Sequence, residues 1–194
     1  MTERRFKLVV LGTTGVGKTC LTLRFVKGLF DDEQLPTIGA AYMTKKVTSN
    51  SKQYIFEIWD TAGQERYEAI TPLYYRSAEA AVIVFDLTSQ QSFVKAKEWL
   101  KRLRRERPDP KMPIALAGNK SDVTPRQVNE EEIAAFVQEN SLKYFESSAK
   151  TGANVDEMFT WTADNLPEAE AQSNEQVVFP VSQEDLGESN SQCC

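Results

Sequence analysis

Short unbroken apolar runs alternate along this chain with segments of helical period. Leu8-Val9-Val10-Leu11, Ala81-Val82-Ile83-Val84-Phe85 and Ile114-Ala115-Leu116-Ala117 are nearly continuous, as expected of parallel strands covered by helices on both faces. Elsewhere the apolar residues fall on one face of a helix. Phe93, Ala96, Leu100 and Leu103 form one stripe, and Val155, Met158, Phe159, Ala163 and Leu166 form another. Asn129 followed by Glu132, and Asn154 followed by Glu157, have capping-box spacing and predict two helix starts. Tyr42 to Thr48 and Gln53 to Trp59, joined by Ser49-Asn50-Ser51-Lys52, read as a hairpin. These elements predict an α/β domain, a mostly parallel sheet with one antiparallel edge strand and helices on both faces.

The pattern stops near Pro167. From Glu168 to Cys194 there is no Lys or Arg, and the acids are Glu168, Glu170, Glu175, Glu184, Asp185 and Glu188. The 194-residue chain has a formal net charge of -5, so removing the tail's -6 leaves residues 1–167 at +1. So polar a segment cannot bury enough surface to offset its ordering entropy. Residues 1–167 are therefore expected to be the folded domain and residues 168–194 a disordered acidic tail. Within the tail, the apolar island Val177-Val178-Phe179-Pro180-Val181 is at most a weak docking segment.

Composition narrows the chemistry. There are no histidines, which excludes Ser-His-Asp hydrolysis, Cys-His proteolysis, His-zinc sites and histidine general-base catalysis. The acidic balance argues against nonspecific nucleic-acid binding, which needs cations to displace phosphate counterions. No stretch approaches the roughly 18 apolar residues of a membrane-spanning helix. The opening residues lead into a short apolar run broken by Lys7, unlike a signal peptide, and residue 2 is Thr where N-myristoylation requires Gly. A soluble intracellular polypeptide is expected, with a monomer as the default.

Gly12-Thr13-Thr14-Gly15-Val16-Gly17-Lys18-Thr19 fits the phosphate-loop spacing of glycine, four residues, then Gly-Lys-Ser/Thr. The alternative is an ordinary glycine-rich turn, but here a strand ends at Leu11 and a helical pattern begins at Lys18. The loop's N–H groups and the helix N-terminus would surround a di- or triphosphate with fixed positive partial charge. Lys18 adds a full charge at the β- and γ-phosphates, and the Thr19 hydroxyl can ligate Mg²⁺. Asn119-Lys120-Ser121-Asp122 follows the strand ending at Gly118, where ligands bind in open α/β sheets. The Asp122 carboxylate can accept from both N1–H and the exocyclic amine of guanine, a donor pair that adenine lacks. Trp59-Asp60-Thr61-Ala62-Gly63-Gln64 ends the second hairpin strand. There Asp60 can hold Mg²⁺ through water, the Gly63 amide can face a γ-phosphate, and Gln64 can orient an attacking water.

With these motifs in this order, residues 6–166 resemble the Ras-superfamily small GTPases. Thr37 and Ser148-Ala149-Lys150 complete the set. Ile38-Gly39-Ala40-Ala41-Tyr42, Arg66 to Thr71, Tyr74-Tyr75-Arg76-Ser77-Ala78 and the terminal Cys193-Cys194 resemble the Rab family of vesicle-traffic GTPases. Pro36 to Ala41, Phe56 to Trp59 and Ala115 to Lys120 look most like its early-endosomal branch.

The resemblance implies a P-loop NTPase fold with a six-stranded sheet. It implies GTP or GDP bound by Thr14, Gly15, Val16, Gly17, Lys18, Thr19, Cys20, Phe30, Thr37, Gly63, Asn119, Lys120, Asp122, Ser148, Ala149 and Lys150. Phe30 would pack against guanine, Lys120 and Lys150 would cover its faces, and the Ala149 amide would donate to its carbonyl. Mg²⁺ would be held by Thr19, Thr37 and Asp60, and slow hydrolysis would rest on Gln64, Lys18 and Gly63.

The resemblance further implies an effector surface at Ile38, Tyr42, Trp59 and Tyr74. Cys193 and Cys194 would carry geranylgeranyl groups that anchor the chain to membrane. Partners would be an exchange factor, an activating protein, a dissociation inhibitor and effectors, on the cytoplasmic face of early endosomal or related endocytic membranes with a cytosolic pool.

Some positions depart from the family. Tyr42 stands where Phe is more common, and Ser77 where Gly is usual. Thr14 places bulk beside the γ-phosphate, which would slow hydrolysis. The tail has no basic residues to attract anionic lipid. Two other readings of the sequence are a GTP-binding scaffold that does not cycle and an adenine-using P-loop kinase or ATPase.

Overall fold

The computed structural model describes residues 3–168. Its elements in order are β1 (Glu3–Leu11), α1 (Lys18–Lys27), β2 (Ala40–Ser49), β3 (Lys52–Thr61), a 3-10 turn (Glu65–Tyr67), α2 (Pro72–Tyr75), β4 (Ala80–Asp86), α3 (Gln90–Glu106), β5 (Ile114–Asn119), α4 (Glu130–Asn140), β6 (Lys143–Glu146) and α5 (Val155–Asp164). The six strands form one sheet in the order β2-β3-β1-β4-β5-β6. Only β2, at the edge, runs antiparallel to its neighbour β3. The expected fold class is the observed one. The expected acidic tail beyond Glu168, its apolar island and Cys193-Cys194 lie outside the described residues.

The unbroken apolar runs are explained by burial on both faces. Along β1, Phe6, Leu8 and Val10 enter one core while Val9 and Leu11 enter the other, as the two-residue period of a strand dictates. Strand β4 divides the same way, with Ala80, Val82 and Val84 opposite Ala81, Ile83 and Phe85. The first core is closed by α1 and α5, where the Phe25 and Phe159 rings stack with centroids 4.2 Å apart. The second is closed by α3 and α4 through Phe93, Trp99, Leu100, Leu103 and Ile133.

The hairpin is longer and tighter than the sequence pattern suggests. Tyr42 pairs with Trp59 and Ser49 with Lys52, so the link is only Asn50-Ser51. Both residues have positive φ, 48° and 62°, which matches the right-handed twist of a two-residue hairpin. The two capping boxes are corrected. Asn129 does cap α4 by accepting from the Glu131 N–H at 2.7 Å, but the Glu132 carboxylate instead accepts from Gln90 and Lys97 of α3. Asn154 sits in the left-handed region with no capping bond, and its Nδ2 donates to the Glu146 carbonyl at 2.6 Å. Long-range partners override a local motif at both positions.

Truncating a fully buried aromatic removes its transfer free energy and leaves a cavity. We predict that Phe159→Ala lowers stability by about 3–5 kcal/mol in urea unfolding. Phe159→Leu, which keeps most of the volume but not the ring, should cost less; equal losses would mean that the first core relies on the Phe25 stack rather than on filled volume.

Candidate nucleotide and cation site

The loops that follow β1, β3, β5 and β6 line one cavity of about 420 Å³, within the range of small-molecule sites. The loop after β1 forms its floor. Gly17, the N-cap of α1, has φ 93° and no side-chain cap, leaving the first-turn N–H groups available to an anion. A Cβ at Gly17 would lie 2.3 Å from Asn119 Nδ2, so only glycine fits between the loop and β5. Asn119 is buried, donates Nδ2 to the Val16 carbonyl at 2.8 Å and accepts from the Ala149 N–H at 3.2 Å. Those two partners fix its amide orientation.

Lys18 is buried and donates to the Thr13 carbonyl at 2.8 Å. Burial pulls its ammonium down to about 8. Three oxygen-bearing side chains from different segments meet beside it. Thr19 Oγ1 donates to Asp60 Oδ2 at 2.6 Å and lies 2.7 Å from Thr37 Oγ1. The Thr19 proton is committed to the carboxylate, so Thr37 is the donor in that second bond.

Asp60 is fully buried, and its Oδ1 has no hydrogen-bond partner among the described residues. Burial raises its carboxyl to about 6, against the opposing hydrogen bond from Thr19 and the charge of Lys18. An orphaned carboxylate oxygen beside two hydroxyls suits a hard cation that retains waters. Among the described residues no group of three or more His, Cys, Asp or Glu could hold a metal. Thr19, Thr37 and Asp60 fit Mg²⁺, which would add positive charge where phosphate oxygens gather.

Two loops close the cavity against the phosphate loop. Thr37 comes from the segment between α1 and β2. Gly63 follows β3 so closely over the loop that a Cβ there would lie 2.4 Å from Thr13 C and Thr14 N and 2.5 Å from Lys18 Nζ. The Ala62 N–H donates to the Gly39 carbonyl at 2.8 Å, joining the two loops to each other. Gln64 lines the same wall.

On the opposite side, Phe30, Lys120, Asp122, Ala149 and Lys150 line the cavity. Asp122 accepts from Ser148 Oγ at 2.5 Å. Lys120, with φ 65°, places Nζ 2.6 Å from Asp86 Oδ2.

Of the sequence-predicted nucleotide residues, Thr14, Gly15, Gly17, Lys18, Thr19, Cys20, Phe30, Thr37, Gly63, Asn119, Lys120, Asp122, Ala149 and Lys150 line this cavity. Val16 and Ser148 do not. Val16 points into the first core and offers only its backbone, and Ser148 acts on Asp122 from behind. Asp60 reaches the site through Thr19. Cys20 is half-buried between core and cavity, and burial raises its thiol, keeping it protonated. The Ala149 N–H is engaged by Asn119.

Two functional residues escaped the sequence reading. Asp86 holds Lys120; burial would raise its carboxyl, but bonds from Lys120 and Thr88 hold it below the ordinary range. Its signal was available, since it ends β4 much as Asp60 stands next to the end of β3. Arg24 donates to the carbonyls of Gly28, Ala149 and Lys150 at 2.5–2.9 Å, clamping α1 to the loop that carries Ala149. A lone arginine in a helix offers no such signal.

Away from the cavity, Tyr42, Trp59 and Tyr74 form a row of rings, the first pair tilted and the second stacked. Centroids are 5.3 Å apart for the first pair and 5.4 Å for the second. Exposed Leu35 and Ile38 lie in the segment before β2, and exposed Leu73 lies in α2. Comparison with protein families gives one finding: the model of the Ras family matches residues 7–168.

The buried carboxyl of Asp60 yields a pH prediction. Its folded value near 6 lies above the ordinary 3.8, so the folded chain holds an extra proton between those values. The stabilising contribution is therefore full below about pH 4 and lost as pH rises through 6. In metal-free, nucleotide-free protein, Asp60→Asn should raise stability at pH 7 by on the order of 3 kcal/mol. The gain should fade below about pH 4, read as melting temperature across pH; a pH-independent difference would contradict it.

Proposed function

The chain belongs to the Ras family of small GTPases, and from that premise we propose that it is a Rab-type GTP/GDP switch of endocytic membranes. The family carries the coarser statement, a guanine-nucleotide-binding switch with GTPase chemistry. One observation carries the switch in this chain. Thr37 and Gly63, on separate loops, both contact the phosphate loop, through Thr19 Oγ1 and through the Thr13–Thr14 backbone. Whatever oxygen atoms occupy that contact decide where both loops sit. Binding the γ-phosphate orders them, and its loss on hydrolysis releases them.

The chemistry we assign is positioning and electrostatics. Lys18 and the loop amides hold the β- and γ-phosphate oxygens, and Thr19, Thr37 and Asp60 hold Mg²⁺. Gln64 orients the attacking water, and the Gly63 N–H faces the γ-phosphate. Asp122, held by Ser148, reads guanine, with Phe30, Lys120 and Lys150 around the base. No arginine is among the described residues that line the cavity, so turnover by the chain alone is slow. An activating protein that inserts an arginine would accelerate it by roughly 10³–10⁵. Thr14, exposed at the cavity mouth, slows the step further.

The finer reading rests on the ring cluster, in which Tyr42 is exposed while Trp59 and Tyr74 are half-buried against the second core. Tyr42, Trp59 and Tyr74, with Ile38 beside them, form the surface that effectors meet in the GTP state. Aromatic groups presented this way supply large contact area at low entropy cost. Cys193 and Cys194 carry geranylgeranyl groups, since two lipid chains give stable anchoring where one does not. A dissociation inhibitor would extract the lipidated chain into the cytosol, and an exchange factor would reload it. Asp122 weighs against an adenine-using kinase or ATPase, and Gln64 with Asp60 against a scaffold that does not cycle.

Two measurements test this. Gln64→Leu should slow single-turnover GTP hydrolysis by on the order of tenfold or more; a wild-type rate would remove Gln64 from the mechanism. The chain loaded with a nonhydrolysable GTP analogue should capture partners that the GDP-loaded chain does not. Tyr42→Ala should weaken that capture by about tenfold, the effect of a modest interface hot spot. Equal capture in both states would leave a nucleotide-binding scaffold.

A further inference from the structure

Helix α3 and the turn after it carry a dense run of basic residues. Lys95 to Lys111 carry eight of the chain's 23 cations against Glu98, Glu106 and Asp109. Many are already engaged: Arg102 with Glu68, Lys97 with Glu132, Lys95 with Glu98 and Arg107 with Asp109. The remainder lie together. Lys101 and Lys111 have no side-chain partner among the described residues. Arg105 meets only its neighbour Glu106, at 3.3 Å, and exposed Arg104 turns to Asn140 at the end of α4. Lys101, Arg104 and Arg105 are spaced to share one helix face.

The chain leaves the domain at the end of the sheet where α3 also ends, on the opposite face. Arg4 Nη1 donates to the Pro167 carbonyl, and Arg4 Nη2 lies 3.4 Å from Glu79. The next residue back, Ala78, accepts from Arg107 Nε at 3.1 Å. The point where the tail departs is therefore two side chains from the basic end of α3. That tail has six acids and no cation.

We propose that the acidic segment beyond Glu168 docks on the Lys101–Arg105 face of α3. Glu170 and Glu175 lie three and eight residues beyond Pro167, and a chain covers at most about 3.3–3.6 Å per residue. Tethering raises the local concentration of carboxylates at the face into the millimolar range for a short linker, so several weak exposed pairs suffice together. Docking neutralises the face that would otherwise draw the domain to anionic surfaces. It also sets the direction in which Cys193 and Cys194 leave. The contact is electrostatic and exposed, and therefore sensitive to salt.

Carbodiimide cross-linking of the full chain, read by peptide mass spectrometry, tests this because it joins only carboxylates and amines in contact. Lys101 and Lys111 should join Glu170 or Glu175 in preference to other exposed lysines. The products should fall severalfold at about 1 M salt, where the screening length is about 3 Å. The double variant Arg104→Glu, Arg105→Glu, which leaves both lysines in place, should reduce them likewise. Glu170→Gln with Glu175→Gln cannot disturb α3 packing, and should shift the Lys101 and Arg105 amide resonances. Cross-links spread evenly over all exposed lysines, or amide resonances unmoved by the tail variant, would overturn the proposal. So would absent cross-links together with Arg105-dependent binding to phosphatidylserine vesicles, which would give the face to a lipid surface.

Discussion

The buried amide of Asn119 is the constraint on which the rest of the site depends. Its Nδ2 holds the Val16 carbonyl of the phosphate loop, and its Oδ1 holds the Ala149 N–H of the loop after β6. One side chain at the end of β5 therefore fixes the spacing between the phosphate end and the base end of the cavity. A polar group so deeply buried is tolerable only with its partners made. It also explains Gly17, since any side chain there would occupy the Asn119 amide. Arg24 braces the same loop from the other side through the Ala149 and Lys150 carbonyls. The base end of the cavity is thus built rigidly, while the Thr37 and Gly63 loops close it with fewer contacts.

The sheet supplies the frame for this arrangement. β1 lies between β3 and β4, so the chain leaves β1 where strand order changes direction, the place where open α/β sheets bind ligands. Register does the rest. Val10 pairs with Asp60 and Asp86 with Asn119, setting the polar ends of three strands around one opening. Thr61 Oγ1 donates to the Val10 carbonyl at 2.7 Å and locks the end of β3 to β1 just before the loop turns toward Gly63.

Much of this was legible in sequence because the strong signals are local. Strands buried on both faces read as unbroken apolar runs. The glycine spacing of the phosphate loop reflects backbone approach, and Asp60 and Asn119 declare themselves by standing at or next to strand ends. What was not legible depends on partners far along the chain. Glu132 fits a capping box, yet its carboxylate is taken by Gln90 and Lys97 from α3. β6 has only the four residues Lys143–Glu146, too short for a period to register, and is fixed by pairing with β5. Asp86 carried a signal of the Asp60 kind, but its role requires knowing that Lys120 follows the adjacent strand.

A ligand can move a loop only by interacting differently with its two positions. Lys18 and Asp60 are both buried at a cost to their charged forms, the ammonium drawn down to about 8 and the carboxyl up to about 6. Their mutual attraction offsets only part of that cost. Anionic oxygens at Lys18 and a cation at Asp60 relieve both, so occupation stabilises the folded domain as a whole. Common contacts of that kind cannot signal. Signalling needs a group that meets Thr37 and Gly63 in one nucleotide state only. The readout then lies one residue away, by strand geometry. Asp60 and Trp59 are consecutive on β3 and point to opposite faces, one into the site and the other onto the row of rings with Tyr42 and Tyr74. Ile38 follows Thr37 directly, with 77% of its surface exposed. The proposed effector surface is thus the outer side of the residues proposed to hold the cation, and no longer relay is needed.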